Sequence, residues 1–141
     1  MQQILTLCVG NICRSPLAQV LLARELPDRT VWSAGLGALV GHPADPISKA
    51  LALENGLDLS GHRAQQVNSL MCQRADLILV MEQHHRFQLE RRYPLARGKV
   101  FCLADDDIAD PFRQPREAFE AAYFDIARGV ADWAERIRQL G

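Results

Sequence analysis

The chain has 141 residues, 48% of them hydrophobic and 23% charged, and 16 Lys+Arg against 17 Asp+Glu leave a formal charge of −1. That length suits one domain spanning residues 1–141, the composition is too apolar for disorder, and the balanced charge supplies no overall basic field to draw the protein to nucleic acid. No apolar run reaches the ~18 residues that cross a bilayer. Met1-Gln2-Gln3 lacks the basic start of a signal peptide, so a cytoplasmic protein, not membrane-embedded, is expected.

The chain alternates strand and helix signals. Ile4-Leu5-Thr6-Leu7 reads as a buried strand ending in a loop. A helix follows from about Pro16 to Glu25, with Leu17, Val20, Leu21 and Arg24 at helical spacing. Thr30-Val31-Trp32-Ser33 is a second strand, stopped by Ala34-Gly35, and a glycine-punctuated loop from Gly35 to His42 leads to Asp45-Pro46, a cap and first turn. The helix it opens carries Ile47, Ala50 and Leu51 and ends at Asn55-Gly56. Asp76-Leu77-Ile78-Leu79-Val80-Met81 is apolar without alternation, which predicts burial on both faces of a parallel sheet. A helix over Gln83 to Arg92 and a fourth strand over Lys99 to Leu103 come next. In the last helix Phe119, Ala122-Tyr123, Ile126, Val130, Trp133, Ile137 and Leu140 form one apolar stripe that predicts core packing. The expected fold is α/β: a single-domain, open, twisted sheet of four parallel strands with helices on both faces and a phosphate-binding loop after the first strand.

Ligands of such sheets bind outside the carboxyl ends of the strands, and there the first strand meets Cys8-Val9-Gly10-Asn11-Ile12-Cys13-Arg14-Ser15. A loop wrapped around one centre aims successive N–H groups inward as an anion nest; Gly10 and Asn11 suit the unusual backbone angles, and the helix opening at Ser15-Pro16 adds its positive end. Arg14 offers a planar fork for two oxygens of a phosphate-like dianion. Cys8 stands where that field stabilises a thiolate, a nucleophile facing a bound phosphoryl group. No G-x-x-x-x-G-K-[ST] occurs, and Val40 stands where Gly35-Leu36-Gly37 would need a third glycine, which excludes kinase and dinucleotide readings.

A leaving group needs a proton donor, and the loop from Asp105 to Phe112 offers Asp105, Asp106, Asp107 and Asp110. Sequence physics favours Asp110 modestly, because Pro111 fixes the backbone beside it and Phe112 supplies an aromatic wall. The reaction needs no cofactor. No metal is expected either, since no second close cysteine pair follows Cys8 and Cys13, and His84-His85 lacks ligand spacing. His84 and His85 read as surface residues, and Arg86, Arg91, Arg92, Arg97 and Lys99 as a solvated helix face.

The run from Cys8 to Pro16 resembles the N-terminal signature of the low-molecular-weight protein tyrosine phosphatases. Ser33-Ala34-Gly35, Gly61-His62-Arg63-Ala64, Asp76 to Met81 and Asp110-Pro111-Phe112 are similar to further blocks of that family in the same order. The resemblance implies a phosphocysteine on Cys8, Arg14 as transition-state clamp and Asp110 as general acid, with phosphate on the loop amides of Val9, Gly10, Asn11, Ile12, Cys13, Arg14 and Ser15. It implies that Asn11, Ser15, Ser33 and His62 support the loop, and that Cys13 is a redox partner able to form a reversible disulfide with Cys8. Phe112-Arg113 stands where eukaryotic members carry paired tyrosines, and the loop from Leu36 to Asp45 lacks an aromatic. This version resembles the bacterial branch found with capsule and exopolysaccharide export, whose partner is a membrane tyrosine autokinase. A phosphotyrosyl protein is then the substrate, a monomer the expected state, and Leu36, Leu39 and Phe112 the expected pocket walls.

The principal rival is thioredoxin-coupled arsenate reduction on the same fold, which needs further cysteines as a disulfide relay. Cys72 and Cys102 lie in apolar stretches and read as core residues. A phosphocarrier cysteine domain and a non-catalytic phosphotyrosine-binding module are weaker rivals, because neither explains nucleophile, clamp and acid together.

Overall fold

A computed structural model describes all 141 residues. Its elements are β1 (Gln3–Cys8), α1 (Arg14–Glu25), β2 (Thr30–Gly35), α2 (Pro46–Glu54), α3 (Ser69–Arg74), β3 (Leu77–Val80), α4 (Gln83–Arg92), a single turn of 3₁₀ helix (Pro94–Ala96), β4 (Val100–Cys102) and α5 (Arg116–Leu140). The strands form one parallel sheet in the order β2-β1-β3-β4. No helix is long and apolar enough to cross a membrane.

Strand alternation divides the core. Ile4, Cys8, Leu77 and Leu79 face α1 and α5, packing with Leu17, Leu21, Ile126, Val130 and Ile137, while Leu5, Leu7, Ile78 and Val80 face the other side with Cys72, Leu89 and Ala96. Both faces of β3 are therefore apolar, which is why its sequence does not alternate. The α5 stripe packs as its spacing predicts from Phe119 to Ile137, but Leu140 is exposed because the helix outruns the sheet. Gly129 lies where a Cβ would stand 2.7 Å from the Leu103 carbonyl oxygen, so α5 approaches the end of β4 more closely than a side chain would allow.

Local chemistry fixes the element ends. Asp45 Oδ1 accepts the Ile47 N–H at the start of α2, Asn68 Oδ1 accepts the Met71 N–H over α3, and Asp76 Oδ2 accepts the N–H groups of Gln2 and Gln3 at 2.9 Å each. Part of the basic stretch is committed rather than free: Lys99 Nζ donates to the carbonyls of Cys72 and Gln73, and Arg86 pairs with Glu90.

The chain leaves β1 for β2 on one side and then crosses to β3 on the other. The reversal of strand order lies between β1 and β3, at the carboxyl end of β1, and the loop from Val9 to Cys13 occupies it.

Candidate active site

Hydrogen-bond accounting explains the shape of this loop. The carbonyls of Cys8, Val9 and Gly10 accept the N–H groups of Leu36, Gly37 and Leu39 from the segment after β2, and the Ile12 carbonyl accepts that of Asp45. The Asn11 carbonyl faces His62 Nε2 at 2.6 Å, which assigns the proton to that nitrogen. With its carbonyls engaged outward, the loop turns its amides toward one centre, and the N–H groups of Val9, Gly10, Ile12 and Cys13 have no partner in the chain.

Asn11 makes the turn possible. Its φ of 59° is left-handed, a conformation that asparagine tolerates better than most residues. Gly10 was expected to share that role, but its φ is not left-handed and a Cβ there would meet only ordinary contacts. The fully buried Asn11 side chain donates to Ser15 Oγ at 2.8 Å and Ser33 Oγ at 3.0 Å, and its Oδ1 accepts the Gln65 N–H at 2.9 Å. Ser15 Oγ, which accepts from Asn11, lies 2.9 Å from Cys8 Sγ, a closer partner for its hydrogen than the Ala34 carbonyl at 3.5 Å. The Asn11 N–H also points at Cys8 Sγ, at 3.3 Å. Asn11, Ser15, Ser33 and His62 thus form one connected support around the thiol.

Arg14 is 1% exposed. Its Nη1 donates to Glu82 Oε2 at 2.7 Å and to the Ile108 carbonyl at 2.6 Å, while the buried Nε has no partner. One corner of the guanidinium is anchored and an orphaned donor remains for an incoming anion. Burial pushes the Glu82 carboxyl up, but the hydrogen bond and charge of Arg14, with help from His85 and His84, outweigh it and hold the carboxyl below its ordinary value. Burial raises the Cys13 thiol far above its ordinary value, with Asp45 and Cys8 adding to the effect, so Cys13 is a protonated thiol at neutral pH.

A cavity of about 150 Å³ opens over the loop, lined by Cys8, Val9, Gly10, Ile12, Cys13, Arg14, Gly37, Leu39, Asp110 and Phe112. Thiol and guanidinium form its polar floor, Ile12, Leu39 and Phe112 its apolar wall. Asp110 stands at the rim, with Oδ2 3.8 Å from Arg14 Nη2 and Oδ1 accepting the Phe112 N–H at 3.1 Å. The structure separates the four aspartates. Asp107 Oδ1 accepts the Gln83 N–H at the start of α4, Asp105 and Asp106 line a different hollow against α5, and only Asp110 reaches this cavity.

The sequence of residues 3–140 matches the family model described as low molecular weight phosphotyrosine protein phosphatase. The chain belongs to this family. It is 50% identical to the probable low molecular weight protein-tyrosine-phosphatase EpsP of Ralstonia nicotianae, over 98% of this chain and 97% of that one. The phosphatase superposes with a TM-score of 0.92 on Vibrio vulnificus Wzb in complex with benzylphosphonate, at 43% identity and covering 95% of this chain and 97% of that one. It also resembles the YwlE arginine phosphatase of Geobacillus stearothermophilus, with a TM-score of 0.92, 34% identity, and 99% of this chain and 94% of that one covered.

Two further expectations are corrected. Leu36 does not line the cavity: it is buried in the core beside Leu7, Val67 and Val80, and Gly37 and Leu39 take the wall instead. His85 is not a surface residue but is 1% exposed beneath Glu82, whereas His84 lies in solvent as expected. Burial lowers the His85 imidazole below its ordinary value, and the opposing pull of Glu82 does not restore it. Glu82 was missed in the sequence. Its signal was position, a carboxylate just past the carboxyl end of a central strand, where sheets of this kind build their sites.

Proposed function

We propose that this phosphatase hydrolyses phosphotyrosine through a phosphocysteine on Cys8. The supporting observation is the single cavity that places thiol, guanidinium and carboxylate around a space with an apolar wall. The phosphoryl oxygens dock on the inward amides and on Arg14, satisfying its orphaned Nε, and the Cys8 thiolate attacks phosphorus in line as the P–O bond to the ring breaks. Asp110, in its acid form, gives its proton to the departing phenolate, an effect on the order of 10²–10⁴-fold. Asp110 then takes a proton from water as that water attacks phosphocysteine, and inorganic phosphate and the Cys8 thiolate are released.

The wall favours an aryl ring over a guanidino group. Ile12, Leu39 and Phe112 offer no hydrogen-bond acceptor, so a phosphoarginine guanidinium would be desolvated against them with only Asp110 to answer its charge. Arsenate reduction is disfavoured because Cys72 is fully buried and neither Cys72 nor Cys102 lines the cavity. Burial raises both of these thiols, with Asp107 adding to the effect at Cys102.

For the physiological substrate, the resemblance to the bacterial capsule and exopolysaccharide branch supports a membrane tyrosine autokinase, reached from the cytoplasm by a monomer, and the 50% identity to EpsP, a probable protein-tyrosine-phosphatase, supports a phosphotyrosyl protein. A sulfenic acid formed on Cys8 by a peroxide oxidant would condense with the Cys13 thiol, forming the disulfide and releasing water. Both are free in the structure, and the protonated state of Cys13 makes that closure slow at neutral pH.

The test is release of p-nitrophenol and of phosphate from phosphotyrosine and phosphoarginine, in EDTA, by wild type, Cys8→Ser, Asp110→Asn and Asp107→Asn. Metal-independent turnover of the aryl substrates, lost in Cys8→Ser and reduced most in Asp110→Asn for poor leaving groups, is expected. Asp107→Asn should lower stability through α4 and spare turnover. Turnover in Cys8→Ser would overturn the mechanism, and faster release from phosphoarginine would overturn the substrate.

A further inference from the structure

Beneath the floor of the cavity, the carboxylate that anchors Arg14 has two imidazoles as neighbours. His84 Nε2 lies 3.3 Å from Glu82 Oε1, and His85 Nε2 lies 3.4 Å from Glu82 Oε2. One ligand atom from each of the three residues falls within a sphere of contacts no wider than 4.8 Å. We propose that Glu82, His84 and His85 form a binding site for a divalent transition-metal ion of the zinc class, and that occupancy withdraws Glu82 from Arg14 and lowers turnover. The consequence for turnover rests on the reading of Arg14 as phosphoryl clamp; the binding itself does not.

The donor set and its spacing suit such an ion. For metal–ligand bonds of about 2.0–2.2 Å, neighbouring ligands of a tetrahedral ion stand about 3.3–3.5 Å apart, the spacing of each imidazole nitrogen from the carboxylate oxygen nearest it, and rotation of the exposed His84 side chain would close the wider separations, which reach 4.8 Å. Two imidazoles and a carboxylate are a set that zinc favours over magnesium or calcium, which prefer oxygen ligands alone. Adjacent histidines do not signal a site in a linear sequence. Here the first turn of α4 and the side chain of Glu82 folded back over it bring their nitrogens to one carboxylate.

The second observation is the state of His85. It is 1% exposed, and neither ring nitrogen makes a hydrogen bond; the approach of Nε2 to Glu82 at 3.4 Å lacks hydrogen-bond geometry. Buried imidazoles are ordinarily paired; an unpaired neutral ring with its proton on Nδ1 offers the Nε2 lone pair to a metal ion. His84, in solvent, gives the ion its route in, and the position left by three protein ligands opens toward water on that side.

The same carboxylate carries the coupling. Glu82 Oε2 accepts from Arg14 Nη1 at 2.7 Å, so a metal ion and the guanidinium compete for it. A three-donor site with a cationic competitor acquires metal reversibly rather than holding it as part of the fold. By linkage, an oxyanion that needs Arg14 in place weakens zinc by the factor by which zinc weakens the oxyanion.

The experiment separates this site from the thiols, which also take zinc. Zinc chloride is titrated calorimetrically into Cys8→Ser and into Cys8→Ser carrying His84→Gln, and the cobalt(II) spectrum of Cys8→Ser is recorded. One ion per chain, at least tenfold weaker binding with His84→Gln, and visible cobalt bands without near-ultraviolet thiolate charge transfer are expected. In the Cys8 protein, the zinc concentration that halves p-nitrophenyl phosphate turnover should rise at least tenfold in His84→Gln and stay constant in His42→Gln. Unchanged zinc affinity in His84→Gln or a cobalt–thiolate band would overturn the site, and full turnover at saturating zinc would overturn the coupling. Persistent turnover in Cys8→Ser would instead count against the cysteine mechanism and leave the metal titration readable.

Discussion

Asn11 joins backbone strain, hydrogen bonding and the nucleophile in one residue. Its left-handed φ turns the loop, its amide holds Ser15, Ser33 and the Gln65 N–H, and its own N–H points at Cys8 Sγ. Asn11→Gly keeps the backbone freedom and removes the amide. We expect kcat/KM on p-nitrophenyl phosphate to fall on the order of 10²-fold, the cost of misplacing reacting groups, and stability to drop by about 1–3 kcal/mol from the partners left unpaired. Asn11→Ala adds about 1–2 kcal/mol for forcing a Cβ into the left-handed region. Wild-type turnover in the glycine variant would show that only the backbone angle matters. Arg113 sets the opposite case. Its φ is 65° and it is exposed, with its guanidinium over the Phe112 ring, so Arg113→Gly should raise stability by about 1 kcal/mol in urea unfolding. The loop from Cys8 to Ser15 was legible because its chemistry is contiguous. Leu36 and Glu82 were not: Leu36 is an apolar neighbour of Leu39 whose inward turn is decided by packing on Leu7 and Val80, and Glu82 lies far in sequence from the arginine it anchors.

At the scale of elements, the ends of strands set the site. Gly35 closes β2, and a Cβ there would stand 2.4 Å from the Val9 carbonyl oxygen, a backbone atom that cannot swing aside. Gly35→Ala should therefore displace the loop itself, lowering phosphate or vanadate affinity along with stability, while the open Gly37 tolerates alanine in both assays. The other end of the sheet offers a pH test. Asp76 is held below its ordinary value first by the Gln3 N–H, with a further bond from Gln2, and burial opposes this only partly. A carboxylate whose folded value is depressed contributes stability above its unfolded value of about 3.9, and that contribution is lost as pH falls through the folded value. Thermal unfolding of Asp76→Asn should be less stable than wild type at pH 7, and the gap should close toward pH 2–3. A constant gap would mean that the carboxylate charge plays no part. The apolar runs of β1 and β3 were legible because they are bounded and unbroken by charge, and the stripe of α5 because its helical period holds over many residues. Helix α3 was not, since Ser69 to Arg74 makes less than two turns and buries only Cys72, too little for a period to show.

For the whole molecule, the sheet order puts the loop at the reversal between β1 and β3, and the last helix, distant in sequence, completes both the core and the packing behind that loop. Helix α5 does this with two different stretches. Ile126, Val130 and Ile137 join the main core with α1 and the central strands β1 and β3, whereas Phe119 packs in a separate cluster with Ile12, Cys13, Leu51 and Ala64, directly behind the loop. Two truncations of similar chemistry should then differ in function. Ile126→Ala leaves a cavity in the main core and should cost about 2–5 kcal/mol, with kcat/KM unchanged wherever the variant is folded. Phe119→Ala should cost about 3–5 kcal/mol and in addition lower kcat/KM on the order of tenfold, because the vacated space lets Ile12 and Cys13 sink away from the bound phosphoryl oxygens. Urea unfolding gives the stabilities, and kinetics taken at a temperature where both variants are more than nine-tenths folded separate loss of protein from loss of geometry. Vanadate affinity should follow kcat/KM in Phe119→Ala and remain at the wild-type value in Ile126→Ala. Equal kinetic losses in the two variants would mean that the loop is held by its own hydrogen bonds alone and that α5 serves it only through general stability.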